Sequence, residues 1–297
     1  MSKIVIIGSS NVDLTVRASR IPSKGETIFG AAPQTAFGGK GANQAVAVSR
    51  LGGDISFITK IGTDSYGNMM ADNLVKEGMS ADTVIRDVET PSGVAWICVD
   101  DNGDNSIIVM PGANCSMTKE DLRPYLALIK EADYLLMQLE TPLEVVDYAA
   151  SIAYENGVKV VLNPAPAQPL SDDLLSKIYL LTPNEKECRL LCGENASDDV
   201  QANAEVLLAK GVKNVIVTLG EKGSLLSNVS GHAEVPAVKV NAVDTVAAGD
   251  TYNGALVVAL SEGQDMIEAM KFATKASAIA VTRFGAQPSV PYRSEIE

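Results

Sequence analysis

Aliphatic and β-branched runs alternate along the chain with stretches whose apolar residues recur at helical spacing. The runs at 3–8, 55–61, 134–139, 158–162, 178–182 and 214–219 predict strands. The helical patterns cover 42–51, 67–77, 119–130, 143–156, 184–191, 198–210, 250–261 and 266–282. Several of the strands are apolar on both faces, as a parallel sheet covered by helices requires. The pattern predicts a doubly wound, Rossmann-like α/β fold with a mostly parallel sheet, helices on both faces, and ligands beyond the carboxyl ends of the strands. Two regions break the alternation. Residues 11–37 show no helical period, and 91–110 contain two short strands, 94–99 and 106–110, around an Asp-Asn-Gly turn signal. These insertions predict a small β-sheet standing off a single domain of residues 1–297. It would serve as a lid over a site or as a pairing surface for a second copy.

Small residues punctuate the strand ends. Asp244-Thr245-Val246-Ala247-Ala248-Gly249-Asp250-Thr251 precedes a helical pattern and follows 235–243, whose alternating β-branched residues predict a further strand. The N-terminus of a helix offers N–H groups without intrahelical partners, and Ala247, Ala248 and Gly249 leave room for an anion to approach them. A carboxylate at that place, Asp250, suits removal of a proton from a hydroxyl that attacks a phosphoryl group. An ordinary N-capping Asp has the same local pattern, so the stretch alone leaves both open. Phe37-Gly38-Gly39-Lys40-Gly41-Ala42-Asn43-Gln44 is a second glycine-rich site ahead of a helix. It fails as a P-loop, because Gly41 stands where Ser or Thr is needed, but its backbone and the donors of Lys40 and Asn43 fit a polyol. Asn11 and Asp13 after the first strand, and Glu140 after 134–139, add groups for hydroxyls. Asn184 and Glu187 form either a capping box or a pair that orients the waters of a phosphate-bound Mg²⁺. Thr218-Leu219-Gly220-Glu221-Lys222-Gly223 ends another strand with two glycines.

Composition narrows the chemistry. The net charge of −13 argues against a nucleic-acid or anionic-membrane surface. No apolar run reaches the length of a membrane span, and four cysteines without a C-x-x-C pattern fit free thiols in a reducing cytoplasm. His232 is the only histidine, so a Ser-His-Asp site within one chain is excluded and the general base must come from another residue type. G-x-G-x-x-G is absent, which removes support for a nicotinamide enzyme.

Together these motifs resemble the ribokinase (PfkB-type) carbohydrate kinase family over essentially the whole chain. The glycine pair in Ala36–Ala45, the Asp244–Thr251 stretch about 200 residues later and Asn184-x-x-Glu187 between them carry the resemblance. Met137-Gln138-Leu139-Glu140 and Asn163-Pro164-Ala165-Pro166-Ala167 also look like that family. The resemblance implies ATP-dependent phosphorylation of a sugar, D-ribose at O5. Asn11, Asp13, Gly39, Lys40, Gly41, Ala42, Asn43 and Glu140 would hold the sugar, and Asp250 would act as base. The amides of Ala247, Ala248 and Gly249 would form the anion hole. ATP would meet Asn184, Thr218, Leu219, Gly220, Glu221, Lys222, Gly223, Gly249 and Thr274. Glu187 would support Mg²⁺ through water. K⁺ would sit among Asp244, Val246, Ala280, Arg283, Gly285 and Ser289. The lid, drawn from about 11–38 and 91–110, would also make a homodimer. Two positions depart from the family pattern. Ala247 replaces a frequent glycine, which a negative φ would accommodate, and Thr274 stands where Asn or His is common near the adenine.

Overall fold

Ile4 and Ile6 point to one side of β1 (Lys3–Ile7) and Val5 and Ile7 to the other, and each pair is buried in its own core. That alternation makes β1 the centre of a sheet covered on both faces. The computed structural model describes residues 2–296. Its main sheet has nine strands, in the order β13 (Gly231–Val235), β12 (Ser224–Asn228), β11 (Asn214–Thr218), β10 (Leu180–Leu181), β9 (Lys159–Leu162), β8 (Tyr134–Met137), β1, β4 (Asp54–Gly62), β5 (Val84–Asp87). All neighbours pair parallel except β11–β12 and β12–β13, which form an antiparallel edge. The order reverses at β1, between β4 and β8. Crevices at such a point lie beyond the strands' carboxyl ends.

One core packs β1 against α1 (Lys40–Arg50), α2 (Ser65–Lys76), α9 (Ala248–Ser261) and α10 (Met266–Ala280). The other takes α3 (Lys119–Leu122), α4 (Leu126–Lys130), α5 (Leu143–Glu155), α6 (Asp172–Lys177), α7 (Glu185–Cys192) and α8 (Val200–Ala209). The single helix expected at 119–130 is thus two, separated by the 3₁₀ turn Arg123–Tyr125. Pro124 lacks the N–H an unbroken helix would need.

The strand expected at 235–243 is not formed. β13 ends at Val235, and the chain from Pro236 to Ala247 is irregular. β13 is the outermost strand of its sheet, so a continuation finds no ladder, and Pro236 donates nothing. The valines that suggested it, Val238, Val240 and Val243, are exposed. The β12–β13 hairpin upstream was not expected from the pattern.

A second sheet, β3 (Gln34–Gly38), β2 (Asn11–Arg17), β6 (Gly93–Val99), β7 (Asn105–Met110), is built from the two insertions. Asp100 Oδ1 accepts from the amides of Asn102 and Asp104 in the β6–β7 turn, where Gly103 takes a positive φ. Val12 roots the sheet by packing on Ile61 of β4 and Met70 of α2. The outer strand β7 is exposed along its whole length. The four cysteines are free. No helix of the described residues is long and apolar enough to cross a membrane.

Candidate active site

Three glycines set the first wall. Gly39 has φ 88°, which a side chain would strain, and a Cβ there would lie 2.9 Å from the amide of Asn11. A Cβ on Gly41 would lie 2.5 Å from the amide of Ser9, and one on Gly38 would strike the Asp13 carboxylate at 2.4 Å. The start of α1 therefore lies directly on the turn after β1. Ser9 fixes the junction: its carbonyl accepts from Ala42 N at 2.8 Å, and its hydroxyl donates to Glu140 at 2.5 Å and accepts from Gly41 N at 3.3 Å. Glu140 also accepts from the Lys40 amide at 2.9 Å. Asn114 holds the other side, donating 2.8 Å to the Asn11 side chain and accepting from Ser10 N. Asn11, Asp13, Lys40 and Glu140 are thus brought to one place, beyond β1 and β8.

Charge is concentrated there. Burial, and then the charge of Glu140, push the Asp13 carboxyl up to about 6. Burial pulls the Lys40 ammonium down, but Asp250, Glu140 and Glu187 outweigh it and hold it above its ordinary value. Burial raises the Glu187 carboxyl, as does Asp250, against a hydrogen bond from Asn184 N and the charge of Lys40. One cation stands among the carboxylates of α7, α9 and the β8 end.

Asp250 lies in the first turn of α9 and is 7% exposed. Its two oxygens accept from Asn43 Nδ2 at 2.9 Å and Gln44 Nε2 at 3.0 Å. Gly254, one turn on, permits this meeting: a Cβ there would stand 2.6 Å from Ala47 Cβ and 2.9 Å from the Gln44 carbonyl. Beside Asp250, the opening of α9 carries Ala247, Ala248 and Gly249, and a Cβ on Gly249 would face open space. Ala247 has φ 57°, so the expectation of a negative φ fails. Its methyl is held in the left-handed region, at a cost of about 1 kcal/mol. The main chain must turn there to enter α9 out of an irregular segment instead of a strand.

The remaining predicted residues divide. Asn184 and Glu187 form a full capping box at the start of α7, with bonds of 2.9 and 2.8 Å, so part of each side chain is committed locally. Asn184 also bridges to Thr218 at the end of β11. Leu219 N donates to Gly223 O across the 3₁₀ turn Gly220–Lys222, and Gly223 (φ 109°) sits 2.1 Å, measured from its would-be Cβ, from the Val235 carbonyl. Thr274 is buried in α10 and donates to Met270 O. Asp244 staples two loops, accepting from Val246 N at 3.0 Å and Gly285 N at 2.9 Å. Ser289 is buried and donates to Ala286 O, Ala280 ends α10, and the Arg283 guanidinium pairs with Glu295. Ser9, Gln44, Asn114, Gln138 and Asn163 were missed as site residues. Ser9, Gln138 and Asn163 follow apolar runs at strand carboxyl ends and Gln44 closes the second glycine-rich motif, while Asn114, in the 3₁₀ turn Gly112–Ser116, carried no such signal.

The pfkB family carbohydrate kinase model matches residues 1–293. A ribokinase of Haemophilus influenzae is 45% identical over 294 residues, 98% of this chain and 96% of the relative. The solved ribokinase of Thermotoga maritima superposes with a TM-score of 0.94 at 42% identity, covering 100% of this chain and 98% of that one. The Arabidopsis thaliana ribokinase solved with ribose and ATP gives 0.92 at 33% identity, covering 99% and 97%. A phosphotransferase acting on an alcohol accounts for both the likeness and the buried carboxylate beside an open helix N-terminus, and the chain belongs to the pfkB family of carbohydrate kinases.

Proposed function

We propose that the chain transfers the γ-phosphoryl group of ATP to O5 of D-ribose, giving D-ribose 5-phosphate and ADP. The observation that carries this is Asp250, a buried carboxylate fixed by two amide donors at the opening of α9 and next to the Asn11, Asp13, Lys40 and Glu140 cluster. Asn11, Asp13, Gly39, Lys40, Gly41, Ala42, Asn43 and Glu140 bind the sugar. Carboxylates accept from its hydroxyls, and Asn43 Oδ1, buried without a partner, takes one more. Asp250 accepts the O5 proton as that oxygen attacks. The amides of Ala247, Ala248 and Gly249, with the α9 dipole, stabilise charge on the transferring group. Asn184, Thr218, Thr274 and the loop Leu219–Gly223 seat the nucleotide.

Among the described residues no group of three or more His, Cys, Asp or Glu is arranged for a metal ion. Mg²⁺ would be carried on the nucleotide's phosphates, with Glu187 orienting its waters. The oxygen-only donors Asp244, Ser289 and the carbonyls of Val246, Ala280, Arg283 and Gly285 suit K⁺, because Asp244 already draws the Val246 and Gly285 segments together. When bound, the two cations supply positive charge, Mg²⁺ at the phosphates and K⁺ behind the loop that enters α9. The small sheet of 11–38 and 91–110 closes over the sugar and joins two copies into a homodimer. Free thiols fit a cytoplasmic setting.

A coupled ADP-release assay with ATP, Mg²⁺ and a panel of pentoses and nucleosides, with and without K⁺, tests the reading. D-ribose is expected to be the best acceptor, and K⁺ to raise turnover. Better turnover of 2-deoxyribose or a nucleoside would reassign the acceptor. Asp250→Asn is expected to bind ribose and lose about 10³-fold or more in turnover. Near-normal turnover would sink the assignment of the base.

A further inference from the structure

Asp250 is reached from behind by a file of buried amides whose orientations are dictated one by one. Its carboxylate can only accept, so Gln44 must present its NH₂, at 3.0 Å. The second hydrogen of that NH₂ goes to Asn163 Oδ1 at 3.1 Å, and the Asn163 NH₂ goes on to the Thr182 carbonyl at 3.0 Å. Gln44 Oε1 then faces the NH₂ of Gln138, which donates at 2.6 Å. Gln44 is fully buried, Gln138 is 1% exposed and Asn163 7%. The three stand on α1, at the end of β8 and at the end of β9. Gln138 Oε1 has no partner and lies over Gly8, where a Cβ would be only 2.2 Å away. A side chain chosen for packing alone would not bring a buried oxygen without a partner; what the Gln138 amide supplies is the one donor to the buried Gln44 Oε1.

We propose that Gln44 is a positioning residue for Asp250, and that Gln138 and Asn163 act through it by holding its amide with the NH₂ toward the carboxylate. This rests on the reading of Asp250 as the base. Two N–H donors, Asn43 on one oxygen and Gln44 on the other, fix the rotation of the carboxylate, so that its remaining lone pairs point at the sugar hydroxyl. Gln138 and Asn163 oppose a flip of the Gln44 amide, because the flipped amide would set oxygen against the carboxylate and against Asn163 Oδ1, and NH₂ against NH₂. The file of amides reaches the Thr182 carbonyl, two residues before Asn184 of the proposed nucleotide seat, so it also ties the base to that strand end.

The test is kinetic, on the intact protein with D-ribose and Mg·ATP. Gln44→Met keeps the volume and removes the donor. Its turnover is expected to fall about 10- to 100-fold, with KM for ribose changing by about 3-fold or less. A carboxylate stripped of a donor is more basic, so the acid limb of the turnover profile moves to higher pH. Lys40 of α1, Glu187 of α7, Glu140 after β8 and Asp13 of β2 face the same space, and the limb belongs to the set, but they are unchanged between wild type and variant. Gln138→Met, which touches Asp250 only through Gln44, is expected to lose about 3- to 10-fold with a limb shift of the same sign. The double variant should add about 2-fold or less to Gln44→Met. Gln138→Met also serves if Gln44→Met does not fold, as judged by thermal unfolding. An unmoved limb with turnover within about 2-fold of wild type in the folded variant overturns the proposal. So do additive losses with a lowered melting temperature and no limb shift, the signature of packing. Asp250→Asn run in parallel separates the two readings: if it is inactive while Gln44→Met is normal, only the positioning role falls, and if it is active the base falls as well.

Discussion

Asp13 carries a cost that shows in stability. Its folded pKa of about 6 lies above the ordinary 3.8. Between those values the folded state holds a proton that the unfolded state has lost. Stability therefore falls as pH rises from about 4 to about 6, and the penalty is complete above that range, on the order of 1–3 kcal/mol. Asp13→Asn removes the ionisation. In denaturant titrations without ligand, the variant is expected to exceed wild type at pH 7.5 by about that amount and to match it near pH 4. The same variant should bind sugar less well, since an amide NH₂ replaces an acceptor. No gain at neutral pH would show that the carboxylate is better solvated than its burial implies.

At this scale the sequence exposed some residues and hid others. Lys40, Asn43 and Asp250 stand inside glycine-rich motifs, where the need for backbone approach leaves a visible pattern. Gln44, Gln138 and Asn163 meet across separations of 94 and 119 residues, and nothing local sets an amide inside a protein apart from one on its surface. Ala247 was misjudged for a related reason. Its left-handed φ follows from the irregular path into α9, which depends on where the β13 edge stops.

Among the elements, α1 and α9 matter most, because the site is their contact. Gly254 lets α1 approach so closely that Asn43 and Gln44 reach across to a carboxylate one turn earlier on α9. Gly254→Ala is a gain in helix propensity that should nevertheless destabilise, because the added methyl overlaps Ala47 and the Gln44 carbonyl. The expected loss is about 1–3 kcal/mol in a chemical melt. Activity should fall further than stability, as α1 shifts and the two amides lose the carboxylate. A variant more stable than wild type would mean that the helices separate without strain. Most elements were legible because period and length agree: the strands at 134–139 and 158–162 and the helix at 143–156 appear within a few residues of expectation. The errors fall where a non-local fact decides. Without a pairing partner beyond β13 the valines before Val243 form no strand, and a two-residue strand such as β10 exists only because β9 and β11 flank it.

For the whole molecule, the doubly wound plan and the separate small sheet were both visible in the alternation of patterns and its two interruptions. What could not be seen was the sheet's exposed apolar surface. Trp96 and Ile108 are paired across β6 and β7 and are 58% and 67% exposed, while Val12, in register two residues before Leu14, roots the same sheet in the body. Apolar residues in this number at an open edge favour pairing with a second copy. Ile108→Glu is expected to shift the species measured by analytical ultracentrifugation from dimer to monomer, leaving the melt of the nine-stranded body within about 1 kcal/mol. A wild-type protein that sediments as a monomer throughout would remove the dimer.

The chain contains one tryptophan, and it is Trp96 in β6. Indole emission therefore comes from the small sheet and is silent about the nine-stranded body. The protein carries its own optical reporter at the place where closure and pairing are proposed. Its colour and quenching, followed as sugar is added or as the protein is diluted, separate a change of cover from a change of partner without any label.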